Sequence, residues 1–218
     1  MLVTGHAALG ETGQATGMYL PELVHPYQIF VQAGHQVEVA SPQGGQAPLD
    51  PGSLTEDLSA YLPLLEHTHA FHEIHPEAYD AFFLVGGHGV MWDFPAHPEL
   101  KQLLESAWYQ EKVIAAVCHG PAGLLSLTTA DGHMLLEGKQ VTGFSNEEEE
   151  AVGLSQVVPF LLEDALKQKG AQYSRASAWQ AHMIMDGSLI TGQNPASASK
   201  VAEAVCVRLR FPPAYAEV

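Results

Sequence analysis

The chain has 218 residues, 46% of them hydrophobic and 16% charged, so it holds enough apolar side chains for a sizeable core and is not a disordered polypeptide. Nine Lys and Arg against 25 Asp and Glu give a formal net charge of -16, which repels phosphate backbones and argues against nucleic-acid and anionic-membrane partners. Two cysteines cannot build a disulfide scaffold, no apolar run reaches the roughly 18 residues of a membrane span, and no basic, apolar leader opens the chain, so a cytoplasmic protein in a reducing compartment is expected.

No repeat, low-complexity linker or composition break divides the sequence, and residues 1–218 read as one domain. Residues 1–4 form the stub of a strand, and the Gly-rich stretch 6–17 a loop. Pro21 suits a first helical turn. Leu20, Leu23, Val24, Tyr27 and Val31 then recur at helical spacing, Gly34 closes the segment, and Pro26 is expected to bend or break it. QVEVA at 36–40 alternates like a strand, and 41–53 reads as a Pro/Gly loop.

AFFLV at 81–85 is a continuously apolar strand that ends in Gly86-Gly87-His88-Gly89. Leu100, Leu103, Leu104 and Ala107 mark a helix. VIAAV at 113–117 is a second buried strand, followed at once by Cys118-His119-Gly120-Pro121-Ala122-Gly123, small residues that open a helix. Residues 134–144 predict a short hairpin, and Val158, Leu161, Leu162, Ala165 and Leu166 an amphipathic helix. A second hairpin is expected at 182–191, turning at Asp186-Gly187, and Asn194-Pro195-Ala196 opens a final helix. Short apolar runs alternating with helical periods predict an α/β fold: a doubly wound, mostly parallel sheet sandwiched by helices, with short β-hairpin additions.

Cys118 carries the sharpest chemical signal. A strand-to-helix turn lifts a nucleophile clear of the backbone and needs small neighbours, here Ala115, Ala116, Gly120 and Ala122. A helix N-terminus at that point lowers a thiol pKa and favours thiolate. His119 is adjacent; its ring can polarise the thiol and its N–H can line an oxyanion hole, although neighbours in sequence rarely face one another. The glycines at 86–89 let the backbone approach a ligand, so that Gly87 and His119 N–H groups would pair as oxyanion donors. Glu22 on its own reads as a surface carboxylate at a helix start, and the run 147–150 as a solvated acidic helix start, one member of which could orient a histidine.

His67, His69, His72 and His75 with Glu66, Glu73 and Glu77 form the densest metal-ligating cluster, with His67, His69 and Glu73 on one strand face. Without an HExxH or paired CxxC motif it reads as a polar edge, and no metal or other cofactor is expected. Cys206 reads as packing in the last helix. Trp92, Trp108 and Trp179 read as core or pocket wall, with His88, Trp92 and Trp179 assigned to the substrate pocket.

AAVCHGPAG at 115–123 resembles the nucleophile elbow of the ThiJ/PfpI superfamily, whose fold is flavodoxin-like and class I glutamine amidotransferase-like. TGMYLPE at 16–22, ASPQGGQAPLD at 40–50, GGHGVMWDF at 86–94, VTGFSNEEE at 141–149 and LITGQNPA at 189–196 narrow the likeness. Jointly they are similar to the branch that holds glutathione-independent glyoxalase III and the heat-shock holdase chaperones, over residues 2–210. The resemblance implies Cys118 as nucleophile, His119 as its neighbouring histidine, and Glu22 as a buried glutamate bonded to the cysteine. It implies Glu149 as the acidic partner of His119, with Glu148 an alternative, Gly87 and His119 as oxyanion donors, and a homodimer.

The expected function is cofactor-free conversion of a small 2-oxoaldehyde, methylglyoxal or glyoxal, to lactate or glycolate through a Cys118 hemithioacetal. The rival readings are a stress chaperone that holds unfolded proteins, a redox sensor that oxidises Cys118, and a cysteine-dependent amidase or peptidase.

Overall fold

Five consecutive apolar residues form β5 (Val113–Val117), and all five are buried, which requires cover on both faces of the sheet. In this computed structural model, which describes residues 1–211, β5 has a parallel neighbour on each side. β4 (Ala81–Leu84) pairs Leu84 with Ala116, and β9 (Leu189–Gly192) pairs Val117 with Gly192. β8 (Met183–Asp186) runs antiparallel to β9 and completes the order β4-β5-β9-β8. The single-domain reading extends to residue 218, and residues 212–218 lie outside the described residues.

The expected strand stub at 1–4 proves to be a joint. Leu2 bridges in parallel to both Ala40 and Leu84, donating its N–H to the Phe83 carbonyl at 2.8 Å and accepting from the Val85 N–H at 2.9 Å. It stitches the main sheet to β1 (Ala40–Ser41), β2 (Gln43–Gly45) and β3 (Thr68–Ala70), ordered β1-β3-β2.

α1 (Leu20–Gln32) and α6 (Ala198–Arg210) pack on each other, α6 lies on β5 and β9, and α3 (Pro98–Tyr109) also packs on β5. Of the residues whose spacing predicted α1, Leu20, Leu23 and Val24 are buried while Tyr27 is half-buried and Val31 exposed; in α3 the predicting residues Leu100, Leu103, Leu104 and Ala107 are all buried. Each of these buried Leu and Val side chains contributes about 1.5–3 kcal/mol. The architecture is the expected helix-covered α/β sheet.

Several local expectations are corrected. Pro26 does not break α1, which continues to Gln32; lacking an N–H, it leaves only the Glu22 carbonyl without its helical donor. The strand expected at 36–40 starts at Ala40, because its partner β3 pairs from there onward. The loop expected at 41–53 contains β2. No hairpin forms at 134–144: β6 (Gln140–Val141) pairs in parallel with β7 (Gln172–Tyr173), reached through α5 (Leu162–Gln168), which begins only after Pro159. The hairpin at 182–191 is present, but Asp186 pairs with Leu189, so the turn is Gly187-Ser188, with Gly187 at φ +64. Cys118 is followed not by an α-helix but by a short 3-10 turn, Gly120–Leu124. Two further short helices, α2 (Val90–Asp93), which packs on that turn, and α4 (Asn146–Ala151), have site residues at or near their starts.

The close approach of that 3-10 turn to β4 sets a test. A Cβ at Gly120 would overlap the Leu84 carbonyl oxygen. Gly120→Ala is expected to cost about 1–3 kcal/mol by overpacking. A lower urea midpoint at unchanged m-value is the expected result.

Candidate active site

β5 delivers Cys118 one residue past its end, where the backbone turns to φ +60. That left-handed conformation costs a non-glycine residue on the order of 1–3 kcal/mol, and its neighbours hold it in place. The Cys118 N–H donates to the Gly192 carbonyl at 2.9 Å, and the Phe144 N–H donates to the Cys118 carbonyl at 2.8 Å. Gly86 must be glycine: a Cβ there would lie 2.6 Å from the Val117 carbonyl oxygen and 2.8 Å from Cys118 Cβ, and closer still to Glu22. Gly87 adopts φ +111.

His119 does face its neighbour. Its Nδ1 lies 3.3 Å from Cys118 Sγ, and its Nε2 lies 2.7 Å from Glu149 Oε2. A neutral ring with its proton on Nε2 donates to Glu149 and leaves Nδ1 to accept from the thiol. Burial and the adjacent His88 lower the His119 pKa, with Glu149 pulling the other way, so the resting imidazole is neutral and can accept a proton. Glu149 also accepts from a second ring, with Oε1 2.8 Å from His88 Nε2. Burial alone would raise the Glu149 pKa, but His119 and His88 outweigh it and hold the carboxyl at about 2.

Glu22, in the first turn of α1, is fully buried against the same sulphur. Its two oxygens make no fully formed hydrogen bond; they abut the Cys118 side chain and the Gly86 N–H. Burial raises its pKa to about 8, and those two partners offset only part of the shift. A surface carboxylate at a helix start is therefore the wrong description of Glu22. The expected lowering of the thiol pKa is also overturned. Burial, and then Glu22, push Cys118 well above its ordinary value, while the N–H groups of His119 and Gly87 oppose them. Five residues of 3-10 turn carry too small a dipole to reverse that. The same two N–H groups converge on the sulphur, where the oxyanion donors were expected.

The acidic run is split rather than solvated, for Glu148 and Glu149 are buried while Glu147 and Glu150 point outward. Glu148 is not the partner of His119. It closes a capping box with Ser145 and accepts from the Trp179 N–H and from Asn194 Nδ2, both at 2.8 Å. The first of these ties down the Trp179 backbone, which adopts φ +66, with its ring edge-on to Phe144 at 5.8 Å. Phe144 in turn lies 4.3 Å from the His119 ring, a place in the site that no local pattern around residue 144 signals. Trp92 packs elsewhere, stacked on His6 at 5.1 Å. Cys206 is half-buried against the core, and Lys139 lies over the Trp108 ring.

The histidine cluster at 67–75 disperses. His69 faces Glu38, His72 faces Glu99, and Glu73 accepts from the Ala70 N–H, because the strand there spans only Thr68–Ala70. Among the described residues, the set of His, Cys, Asp and Glu that does converge as a metal could require is His88, His119 and Glu149. That Glu149 serves two rings has no signal in the sequence, because His88 and Glu149 meet only through the fold.

The chain matches the DJ-1/PfpI family over residues 14–207. It is 32% identical over 209 residues to a glutathione-independent glyoxalase of Saccharomyces cerevisiae, covering 87% of this chain and 88% of that protein. Among solved structures, the Francisella tularensis rapid encystment protein superposes with a TM-score of 0.89 at 36% identity, over 96% of this chain and 97% of its own. Glyoxalase III of Candida albicans does so with a TM-score of 0.86 at 27% identity, over 94% of each.

The raised Glu22 pKa ties stability to pH. The folded protein holds this proton up to about pH 8, whereas an unfolded glutamate releases it near 4.5, so the stabilisation is full at low pH and fades as pH rises between those values. The slope from this group is about 1.4 kcal/mol per pH unit at most. Glu22→Gln is expected to remove it, leaving the variant more stable than wild type at pH 8 relative to pH 5.5. Urea unfolding of both proteins at the two pH values measures the difference.

Proposed function

From the premise that this chain belongs to the DJ-1/PfpI family, we propose that it is a glutathione-independent glyoxalase, a cofactor-free lyase that turns methylglyoxal and water into lactate. The observation that carries the reading is the buried Glu22 carboxyl set against Cys118 Sγ, with a neutral imidazole on the same sulphur.

In this reading Sγ bonds the aldehyde carbon C1 as His119 Nδ1 takes the thiol proton. The new oxyanion sits on the Gly87 and His119 N–H groups and is then protonated to a hemithioacetal. Ionised Glu22 removes the proton from C1 to leave an enediolate charged on the C2 oxygen, the C1 hydroxyl proton passes to that oxygen, and protonated Glu22 returns its proton to C2. C1 is thereby oxidised to a thioester while C2 is reduced from ketone to alcohol, so no external oxidant is needed. Water, deprotonated by His119, attacks the thioester, the C1–S bond breaks, and lactate leaves with the thiol restored. Glu149 orients His119 and stabilises its cationic form in both steps.

Glu22 favours this chemistry over amide hydrolysis, which asks for a nucleophile, a base and an oxyanion hole but for no acid–base group between two substrate carbons. His88 and Trp179, on the rings around His119, would form the pocket wall, while Trp92 stands apart from them. A cytoplasmic homodimer belongs to the same proposal, supported by two free cysteines and by the family likeness. A holdase role toward unfolded chains is its second part, and aggregation suppression by Cys118→Ala is its check.

The test is lactate release from methylglyoxal without glutathione. Wild type is expected to make lactate and Cys118→Ala to lose at least about 10³-fold, the scale on which removing a nucleophile acts. Undiminished lactate from the variant sinks the proposal. The pH profile of kcat/KM should rise between pH 6 and pH 8, because Glu22 must lose its proton to act as the base, while His119 takes the thiol proton within the attack itself. A flat or falling profile between pH 6 and pH 8 contradicts the role given to Glu22.

A further inference from the structure

A cysteine–histidine pair needs one oriented carboxylate oxygen, yet both oxygens of Glu149 are committed to imidazoles. Oε1 faces His88 Nε2 at 2.8 Å and Oε2 faces His119 Nε2 at 2.7 Å. The two rings stand 4.2 Å apart, and one ligand atom from each of the three residues lies within 4.8 Å of the other two. Two imidazoles and a carboxylate are a donor set that zinc takes readily.

The geometry points to a divalent-cation site, suited to Zn²⁺, made by His88, His119 and Glu149, whose occupancy silences Cys118. Donor atoms around tetrahedral zinc stand about 3.3 Å apart, so each nitrogen–oxygen contact need open by only about 0.5 Å to admit the ion. The ligands are pre-placed by other contacts, Glu149 by the capped start of α4 and His119 by Phe144 and Cys118. His88 is the accessible member, with 15% of its side chain exposed against 1% for His119 and 3% for Glu149, and so marks the way in. The ion's charge meets a carboxylate ligand, the nearby Glu148, and a chain of formal net charge -16.

Occupancy acts on the sulphur through one ring. An ion on His119 Nε2 moves that ring's proton to Nδ1, which faces Sγ at 3.3 Å. Nδ1 then donates to the sulphur and cannot take the thiol proton. The base is lost although Cys118 itself is not a ligand. This inference rests on the geometry and not on the identity of the substrate.

Zn²⁺ titrated into the purified full chain, in competition with a chromophoric chelator, tests it. One equivalent should bind to wild type and equally to Cys118→Ala. His88→Ala and Glu149→Gln should bind at least about 100-fold more weakly, a loss no smaller than that from removing an outer-shell partner. Co²⁺ in place of Zn²⁺ should give visible ligand-field bands without the near-ultraviolet thiolate-to-metal band. Melting curves of the metal-free variants check folding, and Glu149→Gln, nearly isosteric, carries the comparison if His88→Ala is unfolded. Absence of a one-equivalent site in wild type overturns the inference. So does binding that vanishes in Cys118→Ala with a thiolate band in wild type, or binding unchanged in His88→Ala. Because the readout is binding, failure of the glyoxalase assay leaves this test standing.

Discussion

The strained backbone at Cys118 is the constraint on which the rest of the site depends. At φ +60 the side chain swings off the line of β5 and into the gap left by two glycines at the end of β4. Strain of this kind, on the order of 1–3 kcal/mol, persists only where the surroundings over-determine it. Here β9 supplies the Gly192 carbonyl on one side, the Phe144 N–H binds on the other, and the wholly buried β5 anchors the approach. Relaxing that turn would part the sulphur from His119, Glu22 and the two N–H groups at once.

Two carboxyls beside this turn are held in opposite charge states because their environments differ. Glu22 has burial and almost nothing to pay for its charge, so its pKa rises to about 8. Glu149 is also buried but meets two imidazoles, and it stays ionised down to about 2. Titratable groups pushed apart in this way mark out acid–base roles. In the proposed reaction Glu22 is the group that moves protons near neutral pH, and Glu149 the fixed charge that orients His119. The same division makes Glu149 the carboxylate that a cation would find.

Much of the fold was legible in the sequence because its strongest signals were long and one-sided. The apolar runs before Gly86 and Cys118 and the helical spacing at Leu100, Leu103 and Leu104 each named an element that exists. What escaped was pairing at a distance. No local rule says that residues 140–141 pair in parallel with 172–173 rather than folding back as a hairpin, or that Leu2 joins two sheets. In the site, Cys118 and His119 stood out through their neighbours, whereas Glu22 looked like an ordinary helix-start carboxylate without the family likeness. Its burial comes from α1 lying against the ends of β4 and β5, which spacing does not encode. The thiol pKa was misjudged for a related reason: a helix dipole was expected where the chain makes only a 3-10 turn, and burial was left out.

In the proposed reaction Cys118 and Glu22 act in sequence on one substrate, the first bonding its carbon and the second moving its proton. Quenched mass spectrometry of Glu22→Gln mixed with methylglyoxal tests this most directly. A one-substrate adduct should build up on the peptide carrying Cys118 while lactate is not released. Wild-type lactate release by Glu22→Gln, or no adduct on that peptide, would contradict the account.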